Sequence, residues 1–206
     1  HEAPPDFVRA QLEAVFSDIG VDAAKTGMLF SQPIIETVAD FLARNPVPLV
    51  VDPVMVSATG ARLLREDAVD SLVQRLLPLA TVVTPNQHEA EALAGSPAPK
   101  RELAERICAL GAKAVIVKGG HGEPVDWLYD GRRHVPIPVP RHDVAATHGA
   151  GCTHSATVTA LLARGLPLEE AARRAAATAA EAVRHGLVEL GAGEGPVDVF
   201  HLREAV

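Results

Sequence analysis

Apolar positions repeat at helical spacing in the first twenty residues. Phe7, Val8, Leu12, Val15, Phe16 and Ile19 fall on one face of a helix over "DFVRAQLEAVFSDIG", with Asp6 read as its N-cap and Gly20 as its stop. The stretch "SQPIIETVADFLARN" has the same period; Ser31 can cap it, and Pro33 falls in the first turn, where no amide hydrogen is missed. Further helices are predicted over "EDAVDSLVQRLLPLA", "QHEAEALAG", "PKRELAERICALGA", "GCTHSATVTALLARG" and "LEEAARRAAATAAEAVRHG". Between them lie short apolar runs, "LVV", "TVV" and "AVIV", and a weaker strand candidate, "VDAAKTG". These runs are continuous rather than alternating, as strands are when helices cover both faces of a parallel sheet. "DWLYDGRRHVPIPV" reads as a hairpin around Asp130-Gly131. The pattern predicts an α/β fold: three layers, α/β/α, around a mainly parallel central sheet, plus a small antiparallel hairpin. No internal repeat or linker divides it, so residues 1–206 are read as one domain, with "AGSPAPK" as a loop.

Composition narrows the classes of function. The chain has 206 residues, 48% hydrophobic and 22% charged, and a net charge of −7. That field does not favour nucleic acid or an anionic membrane surface, so any anionic ligand must be held by local donors. No apolar run is long enough to span a bilayer, and no charged-then-apolar leader opens the chain. Two cysteines, Cys108 and Cys152, give no disulfide framework, which points to a cytoplasmic setting. Cys108, inside "ERICALG", reads as a core residue.

The chemistry collects where strands end. In open α/β sheets ligands gather beyond the carboxyl ends of the strands. Four such ends carry small or polar residues: Lys25-Thr-Gly27, Asp52-Pro53, Thr84-Pro-Asn86 and Lys118-Gly-Gly-His121. Asn86 and Glu89 stand at a strand-to-helix junction. They suit a capping box, and equally a first-turn carboxylate that holds Mg²⁺ through water beside a nucleotide's phosphates. The sharpest feature is "THGAGCTH", residues 147–154, which opens an Ala-rich helix. Its glycines let the backbone approach a ligand, and the free amides of a helix start attract anions. The P-loop spacing is absent. The same amides favour a thiolate at Cys152, able to take a proton from a hydroxyl.

Competing readings exist for this stretch. His148, Cys152 and His154 are candidate metal or redox groups, although no further ligand follows at structural-zinc spacing. A Cys-His hydrolase dyad is a second alternative, but it leaves Lys118, Asn86 and Glu89 without a part.

In their order, "AAKTGML", "LVVDPVMVSATGARLL", "VVTPNQHEAEALAG", "VIVKGGH", "THGAGCTHSA" and "AVRHGL…GPVDVF" resemble the hydroxymethylpyrimidine and phosphomethylpyrimidine kinases of thiamine biosynthesis, in the ribokinase-like superfamily. The resemblance spans nearly the whole chain. Cysteine replaces the superfamily's usual aspartate at Cys152, as it does in the pyrimidine kinases and related pyridoxal kinases. It implies an ATP- and Mg²⁺-dependent kinase acting on the pyrimidine alcohol and its monophosphate, commonly a homodimer. Cys152 is then the general base, and the amides of Gly149, Ala150 and Gly151 form the anion hole. Asn86 and Glu89 organise Mg²⁺ and the phosphates, Lys118 approaches the phosphates, and Asp52 supports the metal shell. Met28 lines the pyrimidine pocket with Val54 nearby, and Thr147 and Val197 lie toward the nucleotide. Pyridoxal kinase is the same-fold alternative, and a non-catalytic small-molecule-binding module the alternative of another class. The chain departs from the family in lacking its usual opening strand, Gly/Ser/Asp-rich loop and ring-contacting segment. Ala146 and Ala150 also stand where relatives often carry a polar residue and threonine.

Overall fold

A computed structural model describes residues 1–56, 62–120 and 122–201; part of the loop "MVSATGARLL" and His121 lie outside the described residues. The apolar runs form β1 (Ala24–Thr26), β2 (Leu49–Val51), β3 (Val82–Val83) and β4 (Val115–Val117), and the hairpin forms β5 (Val125–Tyr129) and β6 (His134–Pro138). The six strands lie side by side in chain order. The first three pairings are parallel and the last two antiparallel. Right-handed crossovers between strands added in one direction place every crossover helix on the same face. That face holds α2 (Gln32–Arg44) and α5 (Lys100–Ala109), with Ile35, Leu103 and Ile107 packed on Val51, Val83, Val115 and Val117. The opposite face is covered by α6 (Ala150–Ala163) and α7 (Leu168–Arg184), whose Val158, Ala172, Ala175 and Ala176 meet Val50, Val82 and Ile116. Alternate strand residues therefore serve two cores, which is why the runs are continuously apolar.

The hairpin turn is set by Asp130, whose Oδ1 accepts from the amides of Arg132 and Arg133 at 2.9 and 2.8 Å. Pro136 and Pro138 are tolerated because β6 is an edge strand.

Two local expectations are corrected. The first helix, α1 (Pro5–Asp18), starts one residue before Asp6, with Pro4 at the N-cap and Asp6 inside the first turn. Its apolar stripe is only partly covered: Val8, Leu12 and Phe16 pack inward, with Phe16 edge-on to Phe41 at 4.9 Å, whereas Phe7, Val15 and Ile19 are exposed. The helix expected over "EDAVDSLVQRLLPLA" is broken. A 3-10 turn (Glu66–Ala68), α3 (Val69–Ser71), a π-turn (Leu72–Leu76) and a second 3-10 turn (Leu77–Leu79) succeed one another. Pro78 cannot donate to a continuing α-ladder, and the wider turn lets Leu72, Leu76 and Leu77 all reach the core. A further helix, α4 (Gln87–Ala94), follows β3 and ends at Gly95 in the left-handed region.

Candidate active site

Asp52 follows β2 and is almost fully buried, at 2% exposure. Its amide donates to Thr26 O at 2.9 Å, which carries the β1–β2 ladder one residue further. Its Oδ1 accepts from Lys118 Nζ at 2.9 Å, and its Oδ2 from Ser155 Oγ at 2.9 Å. A second ammonium, Lys25 Nζ, stands 4.0 Å from Oδ2. Lys118 follows β4, and its amide donates to Pro85 O at 2.9 Å. Burial works against the Lys118 ammonium, but Asp52 and Glu89 outweigh it and hold its pKa above the ordinary lysine value, so the group is charged.

Glu89 is the third residue of α4. Its Oε2 accepts from the Asn86 amide at 2.8 Å, while its own amide donates to Asn86 Oδ1 at 2.9 Å. The capping box is therefore real, and it fixes the carboxylate at the crevice. Burial raises the Glu89 pKa, and Lys118 and the Asn86 amide offset this only in part. A desolvated, under-compensated carboxylate fits a divalent cation, which supplies the missing positive charge. The two oxygens of Asp52, by contrast, are taken up by Lys118 and Ser155. Thr26 and Thr84 flank this cluster with buried hydroxyls that have no partner among the described residues.

Gly149 caps α6 with φ +88°, a conformation that glycine adopts without strain. Ala150 donates its amide to Thr147 O at 3.1 Å, but the amides of Gly151 and Cys152 meet no acceptor among the described residues. Cys152 is exposed in this first turn, and one turn on Ser155 points inward to Asp52. The Lys118 ammonium lies against the same turn: a Cβ on Gly151 would come within 3.2 Å of its Nζ. Two free amides, an ammonium and a thiol thus share one patch. It is suited to holding an anionic group while a neighbouring proton is removed.

The segment after α7 closes one side. His148 donates its amide to Gly195 O at 3.3 Å, and the Val197 amide donates to His148 O at 2.9 Å. Thr147 Oγ1 reaches Glu194, and a Cβ on Gly149 would lie 3.6 Å from Val197 Cγ2, so Thr147 and Val197 both border the helix start. On the other side, Met28 is exposed after β1, and the half-buried Val54 donates its amide to Asp52 O at 2.9 Å.

The metal reading of His148, Cys152 and His154 is corrected. His148 is exposed, while His154 is buried, with Nε2 3.1 Å from Asp126 Oδ2. No group of three or more His, Cys, Asp or Glu among the described residues could hold a metal ion. Ser155 was absent from the sequence candidates. Its position three residues after Cys152 in a helix was the available signal.

Residues 1–198 match the model of the family described as Phosphomethylpyrimidine kinase. The hydroxymethylpyrimidine/phosphomethylpyrimidine kinase of Rhizobium meliloti is 46% identical over 95% of this chain and 77% of its own length. Among solved structures, the ADP complex of Bacillus subtilis pyridoxal kinase superposes with a TM-score of 0.87 at 40% identity, covering 98% of this chain and 79% of that one. The phosphomethylpyrimidine kinase of Clostridium difficile superposes with a TM-score of 0.76 at 36% identity, covering 88% and 77%.

Proposed function

This chain belongs to the phosphomethylpyrimidine kinase family, and on that premise we propose that it transfers the terminal phosphoryl group of ATP to 4-amino-5-hydroxymethyl-2-methylpyrimidine and then to the monophosphate formed. It is a phosphotransferase of thiamine biosynthesis. The observation that carries the residue assignment is the Lys118 ammonium lying against the first turn of α6, where the Gly151 and Cys152 amides are free beside the Cys152 thiol.

In the first transfer, Cys152 as thiolate takes the hydroxymethyl proton. The alcohol oxygen bonds to the terminal phosphorus as the bond from phosphorus to the ADP oxygen breaks. The free amides of the α6 start, those of Gly151 and Cys152, and the Lys118 ammonium offset the charge on the moving group. Of the anion hole expected from Gly149, Ala150 and Gly151, the Ala150 amide is instead taken up by Thr147 O at 3.1 Å. Asn86 fixes Glu89, which with Asp52 nearby fits Mg²⁺. When bound, that ion supplies charge neutralisation at phosphate oxygens. Met28 and Val54 contact the pyrimidine, while Thr147 and Val197 face the nucleotide. These roles need placement more than covalent chemistry, which suits side chains seated on strand ends and helix starts.

The likeness to the Bacillus subtilis pyridoxal kinase favours a second reading, pyridoxal as the alcohol. The test is ATP-dependent product formation, followed by mass spectrometry, with each alcohol offered to the same preparation. A higher kcat/KM for the pyrimidine is expected. A higher value for pyridoxal establishes the second reading, and nucleotide binding without turnover of either alcohol overturns both in favour of a binding module.

A further inference from the structure

The site contains two ammonium groups, and they address opposite oxygens of one buried carboxylate. Lys118 Nζ bonds Asp52 Oδ1 at 2.9 Å, and Lys25 Nζ stands 4.0 Å from Oδ2. Each ammonium also occupies room that a glycine leaves open. A Cβ on Gly27 would lie 2.7 Å from Lys25 Nζ, and one on Gly151 would lie 3.2 Å from Lys118 Nζ. Lys25 is the more exposed of the two, its side chain 24% accessible against 12% for Lys118.

The charges explain why two are needed. Asp52 and Lys118 alone make a neutral pair, with little attraction left for an incoming phosphate. Were Lys118 drawn toward a phosphate, it would leave behind a buried, unpaired carboxylate, which is costly. A second cation at Oδ2 removes both problems. It neutralises Asp52 and leaves the charge of Lys118, and the other donors of its ammonium, for the phosphoryl group.

We infer that Lys25 is a positioning residue for phosphoryl transfer, acting as the counter-ion of Asp52 so that Lys118 is released to the phosphate. The inference rests on the kinase reading and adds to it a residue that touches neither the alcohol nor the phosphate. The test is calorimetric titration of a non-hydrolysable ATP analogue with Mg²⁺ into the full chain and its variants Lys25→Met, Lys25→Arg, Asp52→Asn and Lys25→Met/Asp52→Asn. Lys25→Met weakens binding about tenfold, and Lys25→Arg restores it. In the Asp52→Asn background the Lys25→Met change costs nothing further, because there is no carboxylate left to neutralise. An equal loss in both backgrounds overturns the inference, since Lys25 would then act on the nucleotide directly. No loss on Lys25→Met overturns it too. Should the Asp52 variants fail to fold, the two single Lys25 variants decide: equal losses for Met and Arg overturn the inference, and a loss for Met alone supports it. Failure of the unaltered chain to bind the analogue overturns the kinase reading instead, and the inference with it.

Discussion

Cys152 is asked for different things in the two phosphorylations. The first acceptor is an alcohol, which must lose its proton as it attacks. The second is a phosphate monoester, whose last proton has a pKa of about 6 and is mostly gone at neutral pH. A base is worth about 10²–10⁴ in rate where a proton must move. Cys152→Ala is therefore expected to lower kcat for the alcohol by roughly that factor and to slow the second transfer much less. Separate initial rates with the alcohol and with its monophosphate measure the split, and equal losses would place Cys152 in phosphate holding instead. Glu89 makes a pH prediction. Burial raises its folded pKa above the ordinary 4.5, so between those two values the folded chain holds a proton that the unfolded chain has lost. The stability from that proton is present below the ordinary value and is lost as pH rises through the raised one. A divalent cation demands the ionised form, so Mg²⁺ affinity should weaken as pH falls through the raised value, with proton release on binding. Magnesium titrations across that window check the slope, and Glu89→Gln should abolish it together with most of the affinity.

The start of α6 shows how far a local motif can be read. "HGAGC" before an apolar, Ala-rich run was legible as a helix N-terminus with open amides, because glycine and free donors are properties of the chain itself. The capping box of Asn86 and Glu89 was legible for the same reason. Asp6 was misread because Pro4 already takes the N-cap and Pro5 opens α1, two residues earlier than an Asp6 cap would. In the broken helix over Glu66–Leu79, Pro78 was a legible stop, but the π-turn before it was not, because tertiary contacts of Leu72, Leu76 and Leu77 rather than propensity select it. Gly151 gives a prediction about this element. Glycine to alanine in the first turn of a helix ordinarily stabilises by about 0.4–1 kcal/mol. Here the added Cβ comes within 3.2 Å of the Lys118 ammonium, which must shift. Gly151→Ala is expected to hold or slightly raise the melting temperature while raising KM for ATP. A lowered melting temperature with unchanged KM would mean that Lys118 does not depend on this gap.

The molecule's architecture was readable from the alternation of helix and strand, because a chain with continuous apolar strands has few ways to bury both faces. The wiring of the site was not. Asp52 is separated by 66 residues from Lys118 and by 103 from Ser155, and only the topology brings these strand ends and α6 together. Lys25 and Ser155 consequently gained their meaning from the fold. Because the site joins β1, β2, β4, α4 and α6, a ligand that fills it ties together elements from the whole chain. A nucleotide at a hundred times its dissociation constant stabilises the folded state by about 2.7 kcal/mol, roughly 5–10 °C in a chain of this size. ATP analogue with Mg²⁺ is expected to raise the unfolding midpoint by that much, and without the metal by clearly less. Glu89→Gln should lose the metal-dependent part, and Lys118→Met most of the whole. Cys152→Ala should keep the full shift, because the thiol moves a proton and does not hold the nucleotide. Scanning fluorimetry with and without Mg²⁺ reads all four at once. A Cys152→Ala shift as small as that of Lys118→Met would show that the thiol holds the phosphates and that another group takes the proton.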